Sequence, residues 1–170
     1  PKPQNPLYLE FLIKFNLFVI SNMSIKDFII VKKLGSGSFS EVFKVKRVSD
    51  NTEYAMKKVK LAALSTKEKE NALNEIRILA SVVHKNVIGY KEAFFDEQTN
   101  ILCIVMEIAD GGDLEGKINQ AKKLKSFVKE DKIWHIFRQM LEGLVALHAE
   151  KIVHRDIKCA NVFLASGGGV

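Results

Sequence analysis

Short apolar runs separated by turn residues fill the first half of the chain, and a helical apolar repeat follows in the second half. The runs are rich in β-branched and aromatic residues, which favour strands. Residues 96–100 are polar and predict a turn between the last two runs. Five strands are therefore expected, at residues 28–31, 41–47, 53–59, 86–93 and 101–107.

Two segments carry the three- and four-residue spacing of an amphipathic helix. Ser65 and Glu68 have the spacing of a capping box, which predicts that a helix begins there. Its buried face is expected to carry Leu73, Ile76, Leu79 and Val83. Residues 130–149 predict a second helix, about 30 Å long at about 1.5 Å per residue. Its apolar stripe is expected to be Ile133, Phe137, Met140, Leu141, Leu144 and Leu147.

Two places mark the limits of the predicted domains. Residues 107–114 change from apolar strand to turn chemistry, and Asp113 can cap a following helix. Residues 1–22 contain an apolar run, 7–20, that is too short and too polar to span a membrane. This extension is either an element that packs on the domain or translated upstream sequence with Met23 as the true start. The second interpretation is favoured, so 1–22 are possibly not native.

Composition and charge narrow the function classes only a little. The chain has 170 residues, is 47% hydrophobic and 27% charged, and carries a formal net charge of +6. These values are ordinary for a globular protein and permit acidic ligands such as nucleotides. Cys103 and Cys159 have no metal-ligand spacing and indicate free thiols in a reducing compartment. Lysines 117, 122, 123, 125, 129 and 132 indicate a solvated face and loop rather than a site for a specific anionic partner.

The candidate phosphate-binding chemistry lies in the first three predicted strands. Gly35 and Gly37 would let the backbone amides approach an anion, although such a pair is more often a simple hairpin turn. Ser40 stands where a third glycine would complete G-x-G-x-x-G. A strand rather than a helix follows, which argues against a dinucleotide-binding unit. Lys57, in the next strand, matches the lysine of the V-A-I-K pattern.

The segment 154–164, HRDIKCANVFL, carries an acid, two bases and an amide at fixed offsets. It resembles the catalytic loop of protein kinases, H-R-D-x-x-x-x-N. Together with the glycine-rich segment 38–45 and the hinge segment 106–114, it is similar to the NIMA-related serine/threonine kinases. Lys158 is typical of the serine/threonine class. The resemblance covers about residue 28 to the end.

The resemblance implies an α+β, bilobal fold, with a small lobe and hinge at 23–109 and a partial large lobe at 110–170. It implies ATP and Mg²⁺ as cofactors. The catalytic residues would be Asp156, Lys158 and Lys57, and Asn161 would hold the metal. Glu75 would position Lys57, with Glu70 as the weaker candidate. His154 and Cys159 are expected to be packed. The residues expected around the nucleotide are Leu34, Gly35, Ser36, Gly37, Ser38, Val42, Ala55, Lys57, Glu75, Met106, Glu107, Ala109 and Phe163.

The resemblance also implies a function and partners. The chain is expected to be the amino-terminal part of an ATP-dependent serine/threonine protein kinase that acts on a protein substrate. No Asp-Phe-Gly motif occurs in its 170 residues, so the fragment by itself is expected to be inactive. The alternative is a catalytically inactive short protein that binds nucleotide or competes for partners. A cytoplasmic location is expected, without nucleic-acid or membrane partners; cytoskeletal, centrosomal or ciliary partners follow from the resemblance alone.

Overall fold

The computed structural model describes residues 23–96 and 98–165, without the side chains of residues 63, 66, 69, 70, 73 and 75. The predicted extension 1–22 therefore lies outside the described residues, as do the side chains of Glu70 and Glu75. The described chain divides into two compact units. The first contains residues 23–81 with Tyr90–Ile108, and the second contains Val82–Gly89 with residues from Ala109 onwards. Each unit is described by itself.

The first unit is built on a five-stranded antiparallel sheet in the order β1-β2-β3-β5-β4. The strands are β1 (Phe28–Ser36), β2 (Ser40–Arg47), β3 (Glu53–Lys60), β4 (Tyr90–Asp96) and β5 (Ile101–Met106). All five predicted strands are present, and the α+β class is confirmed. β4, however, begins at Tyr90 rather than residue 86. The Asn86 side chain donates instead to Gln139 at 3.0 Å, so this segment belongs with the second unit.

The helices are α1 (Thr66–Ser81), α2 (Leu114–Lys123) and α3 (Glu130–Ala149). The predicted capping box is present, because the Ser65 amide donates to Glu68 at 2.8 Å and the Glu68 amide donates to the Ser65 hydroxyl at 3.4 Å. The predicted place of Val83 on the buried face is wrong. α1 ends at Ser81, and the Val83 side chain is 96% exposed.

Alternation along β3, β4 and β5 places buried side chains on both faces of the sheet, whereas β1 is exposed after Phe28. One face carries Val59, Ala93, Phe95, Leu102 and Ile104, and Ile76 of α1 packs on it. The opposite face buries a second group of side chains that includes two stacked rings, Phe28 and Phe94, at 5.7 Å. That group is Phe28, Val45, Tyr54, Met56, Phe94, Cys103 and Val105. The central strands β3 and β5 therefore contribute to both hydrophobic clusters.

The core of the second unit is smaller and centres on α3. Ile136 packs with Val162 and Leu164, and Leu114 and Met140 border this cluster. The stripe predicted for α3 is partly wrong, since Ile133, Phe137 and Leu141 are exposed on the described surface. The buried positions are Ile136, Gly143 and Leu147; Leu147 was predicted, whereas Ile136 and Gly143 lie beside the predicted stripe. A stripe chosen from apolarity alone includes residues on both sides of the face that is actually buried.

Gly143 marks where α3 meets the segment Val82–Gly89. A Cβ added at Gly143 would lie 2.8 Å from the carbonyl oxygen of Asn86, which is closer than real Cβ contacts. We expect Gly143→Ala to lower the free energy of unfolding by about 1–3 kcal/mol, because the clash outweighs the helix preference of alanine. Chemical denaturation measures this loss.

Gly116→Ala in α2 is the matched control. Its added Cβ would meet Asp113 Oδ1 at 3.4 Å and clash with no backbone atom. Its free energy of unfolding should fall by no more than about 0.5 kcal/mol, and helix propensity favours a gain. Equal destabilisation by both substitutions would contradict the close contact at Gly143.

Candidate active site

The glycine-rich segment forms the turn between β1 and β2. The Gly37 amide donates to the Ser40 carbonyl at 2.7 Å, and the Lys60 amide donates to the Phe39 carbonyl at 3.1 Å. The turn is thus tied both to itself and to the end of β3, while residues 36–39 remain exposed. An added Cβ at Gly35 would meet nothing within 4 Å. The space beside Gly35 is therefore open to a ligand that needs close approach to the backbone.

The strand register places the predicted nucleotide residues of the sheet on one face. Gly35 is opposite Val42 in β2, Val42 is opposite Lys57 in β3, and Lys57 is opposite Ile104 in β5. Directly opposite residues in antiparallel strands point to the same side of the sheet. Ala55 is opposite Met106, two residues away from the Lys57 row. Val42, Ala55, Lys57 and Met106 therefore share one face.

That face is also the one on which α1 packs. Ile76 of α1 is fully buried against it, and Glu75 is the preceding residue of the same helix. The side chain of Glu75 is outside the described set, so its pairing with Lys57 stays a prediction. Leu34 lies at an irregularity of β1 and is half-exposed.

The predicted hinge begins where β5 ends. Met106 is the last residue of β5, and the exposed Glu107 carboxylate accepts a hydrogen bond from Lys91 Nζ at 2.7 Å. The Asp113 carboxylate accepts from the Gly116 amide at 2.7 Å and caps α2, as predicted. Ala109 is the first residue of the second unit on this side of the chain.

The predicted catalytic side chains of the second unit come together around one carboxylate. Lys158 Nζ lies 3.0 Å from Asp156 Oδ2. Asn161 Nδ2 donates to both the Asp156 carbonyl and Oδ2, each at 2.8 Å. The Asp156 amide donates to His154 Nδ1 at 3.3 Å. Arg155 has a φ of +64°, a left-handed conformation that is uncommon for a side chain of this size.

The loop is anchored by contacts that sequence reasoning missed. The Gly111 amide donates to the Leu164 carbonyl at 2.7 Å, and the Leu164 amide donates to the Gly112 carbonyl at 2.8 Å. The Leu114 amide adds a bond to the Val162 carbonyl at 2.8 Å. A Cβ at Gly111 would lie 2.5 Å from the Leu164 oxygen, so only glycine permits this approach. The adjacent glycines at 111 and 112 were the available signal.

Two side chains of the loop region differ from expectation. His154 and Cys159 are both exposed, not packed. The loop follows the surface of the second unit, and its apolar anchors are Val162 and Leu164 instead. Phe163 lies between them, bridges to Asp113 through the backbone and is half-exposed. Alternation along this short extended segment turns Phe163 away from the core that its neighbours enter.

The electrostatics of the loop favour an ionised aspartate. The hydrogen bond from Lys158, followed by that from Asn161, lowers the pKa of Asp156 below its ordinary value. Because the pKa of Asp156 is lowered in the folded state, its ionised carboxylate stabilises the folded chain at neutral pH. This stabilisation is lost as the pH falls through the lowered pKa. Asp156 can therefore accept a proton or a hydrogen bond at neutral pH, and it is exposed to a ligand.

The donor set of the loop fits Mg²⁺ by its chemistry. Asn161 uses Nδ2 for both bonds to Asp156, which leaves its amide oxygen for a hard cation. Mg²⁺ typically takes one or two protein oxygens and completes its shell with water and phosphate. Within residues 23–96 and 98–165, no group of three or more His, Cys, Asp and Glu forms a complete protein cage for a metal.

No described helix is long and apolar enough to span a bilayer.

Comparisons with known proteins agree with this geometry. The family model described as the protein kinase domain matches residues 28–170. The chain is 37% identical over 145 residues to serine/threonine-protein kinase Nek1 of Mus musculus, covering 85% of this chain and 12% of the relative. It is 36% identical over 138 residues to the probable serine/threonine-protein kinase nek2 of Dictyostelium discoideum, covering 79% and 33%. It is 40% identical over 137 residues to serine/threonine-protein kinase Nek9 of Mus musculus, covering 81% of this chain and 14% of the relative.

These relatives are NIMA-related kinases, and the resemblance deduced from the motifs is confirmed. The alignment reaches only a limited part of each relative, namely 12%, 33% and 14% of its length. Activities, substrates and partners of the whole proteins are therefore not carried over to this chain by similarity.

Replacement of Lys158 tests the electrostatics of the loop. We expect Lys158→Gln to raise the pKa of Asp156 toward the ordinary aspartate value, because the first cause of the lowering is removed. Titration of the carboxyl carbon by NMR measures the change. Lys151→Gln removes the same charge five residues before Asp156 and should leave the pKa unchanged. An equal shift in both variants would contradict a specific Lys158–Asp156 interaction.

Proposed function

The chain belongs to the protein kinase family, and we propose that the protein transfers the γ-phosphoryl group of ATP to a serine or threonine hydroxyl of a protein substrate. The observation that carries this proposal is the Asp156 carboxylate, which is exposed, has a lowered pKa and is held by Lys158 and Asn161. Since the chain spans a third or less of the relatives named above, the activity of the whole protein is part of the proposal.

The nucleotide would bind on the face of the sheet that carries Lys57. Val42 and Ala55 would form an apolar roof for adenine, with Met106 at the back of the pocket. The exposed glycine turn would cover the phosphates, and the open space at Gly35 supports its close approach. The other nucleotide contacts that we propose are Leu34, Ser36, Gly37, Ser38, the backbone of Glu107 and Ala109, and Phe163.

Lys57 would neutralise the α- and β-phosphates. Its side chain is half-buried. Because β3 lies between β2 and β5, the backbone at Lys57 is held by hydrogen bonds on both sides. Glu75 would hold the ammonium group in place from α1, whose next residue, Ile76, is buried against the same face. A lysine positioned in this way can stabilise phosphate charge without reorganising during the reaction.

Asp156 would orient the substrate hydroxyl and accept its proton. The hydroxyl oxygen forms a bond to the γ-phosphorus while the bond from that phosphorus to the bridging oxygen of ADP breaks. Lys158, 3.0 Å from Asp156 Oδ2, would neutralise charge on the transferring group. Phosphoryl transfer demands mainly positioning and charge neutralisation, and this loop supplies both.

Asn161 would hold Mg²⁺ through its amide oxygen, while its Nδ2 keeps Asp156 in place. The bound ion would neutralise negative charge on the phosphates. By connecting the metal to the aspartate, Asn161 would align the nucleotide with the group that receives the proton.

Two further proposals concern the location of the protein and its partners. The free thiols Cys103, which is buried, and Cys159, which is exposed, support a reducing compartment, and we propose a cytoplasmic location. A cytoskeletal, centrosomal or ciliary partner is proposed from the family resemblance alone.

Two variants with a matched control test the proposed roles in the full-length protein. We expect Asp156→Asn to lower phosphoryl transfer about 10²–10⁴-fold with nucleotide affinity retained, because the proton-accepting carboxylate is replaced while the residues proposed to contact the nucleotide are unchanged. Lys57→Met should lower transfer about 10²-fold or more, because charge stabilisation of the phosphates is lost. Incorporation of labelled phosphate and nucleotide titration measure the two quantities.

Lys58→Met is the control for Lys57. Lys58 is the next residue of β3 but points to the opposite face, where its ammonium group lies 5.1 Å from the centre of the Phe43 ring. It should leave transfer within about threefold of the parent. Unimpaired transfer in Asp156→Asn, or equal losses at Lys57 and Lys58, would overturn the assignment.

A further inference from the structure

The connection between α2 and α3 presents two apolar side chains among lysines. Leu124 is 69% exposed and Phe127 is 98% exposed. Lys122, Lys123, Lys125 and Lys129 surround them and are also exposed. We name residues 122–129 the lysine turn. The turn itself carries four lysines and no acidic residue, and the nearest carboxylates in the sequence, Glu130 and Asp131, follow it in the first turn of α3.

The lysine turn is held in a defined conformation. The Lys125 amide donates to the Lys122 carbonyl at 3.1 Å, and the Ser126 amide donates to the Ala121 carbonyl at 3.0 Å. With Lys125 at φ +50°, these bonds form a Schellman motif at the end of α2. The carbonyl of Lys129 accepts from the amides of Lys132 and Ile133 and fixes the other end on α3. The backbone on both sides of Leu124 and Phe127 is therefore hydrogen-bonded, which lowers the entropy cost of ordering the turn on binding.

The Schellman motif here lacks its usual apolar contact. That contact joins the third residue from the helix end to the second residue after the cap. These positions hold Ala121 and Ser126, so Phe127 and Leu124 are not used to close the turn. Neither side chain belongs to the core cluster of the second unit. Their exposure consequently has no local structural explanation.

The shape and charge of the turn favour one kind of partner. All residues from Lys122 to Phe127 are exposed, so this segment lies on the surface and its two apolar side chains are not enclosed by other described residues. A peptide ligand would require a groove or an open sheet edge to bury its side chains. An anionic bilayer surface instead accepts a projecting aromatic side chain at the headgroup level and attracts each nearby lysine.

We propose that the lysine turn binds reversibly to membrane surfaces that contain anionic lipids. Phe127 and Leu124 enter the headgroup region, and the four lysines pair with lipid phosphates and carboxylates. The spacing of these lysines by itself indicates only a solvated face and gives no reason to expect a membrane partner; the exposure of the two apolar side chains changes that interpretation. This peripheral contact is compatible with the absence of a spanning helix among the described residues.

Sedimentation of the full chain with lipid vesicles tests the proposal. We expect binding to mixed phosphatidylcholine–phosphatidylserine vesicles, none to phosphatidylcholine alone, and weakening at raised salt. Replacing the four lysines of the turn with glutamine should reduce affinity about 100-fold or more, since each adds roughly fivefold. Phe127→Ser should reduce vesicle affinity about tenfold, because apolar burial in the headgroup region is lost. The variant should still fold, because the Phe127 side chain is exposed to solvent.

The control removes four other exposed lysines, Lys26, Lys32, Lys60 and Lys67, and so lowers the net charge equally. It should keep vesicle affinity within about threefold. Equal losses in both fourfold variants would overturn the proposal, because binding would then follow net charge alone. Retained binding in the turn variants would also overturn it. Binding to soluble poly-glutamate without binding to vesicles would overturn the proposal and indicate that the partner is an acidic polypeptide.

Discussion

Burial of the central strands on both sides is the constraint on which the candidate nucleotide site depends. Strands β3 and β5 contribute Met56, Cys103 and Val105 to one cluster and Val59, Leu102 and Ile104 to the other. A slip of one residue would exchange the two faces of a strand and expose both sets. The same constraint holds Lys57 on the face of α1 and Lys58 on the opposite face. The position of a charged side chain is thus determined by the apolar residues beside it.

A different kind of constraint holds the catalytic loop. The loop contains no strand or long helix, and its polar side chains are exposed. Its order comes from Val162 and Leu164, which enter the core beside α3, and from the backbone bonds to Gly111 and Gly112. The Asp156 carboxylate can remain exposed because Val162 and Leu164, six and eight positions later, make the buried apolar contacts. This separation lets a reactive group meet a ligand while the backbone beneath it is held.

Several parts of this structure could be predicted because their causes are local. The capping box at Ser65, the presence of the five strands and the ends of α3 depend on residues a few positions apart. The parts that were wrong depend on distant partners. β4 begins late because Asn86 bonds to Gln139, 53 positions away in the sequence. His154 and Cys159 are exposed because Val162 and Leu164, rather than these two side chains, are the loop residues that pack against α3. Apolarity alone does not determine which of several helix positions will be covered.

The sequence by itself determined the family of the chain, its strands and helices, and the residue types of its candidate site. Motif spacing is sufficient for this, since each motif is short and its residues have fixed chemical roles. Only the tertiary structure decided which of these residues meet. It brought Lys158 and Asn161 onto Asp156, gave Gly111 its contact with Leu164, and left Phe127 bare at the lysine turn. The reason is physical: a contact between two segments, and the exposure of a side chain that no segment covers, depend on how the whole chain packs.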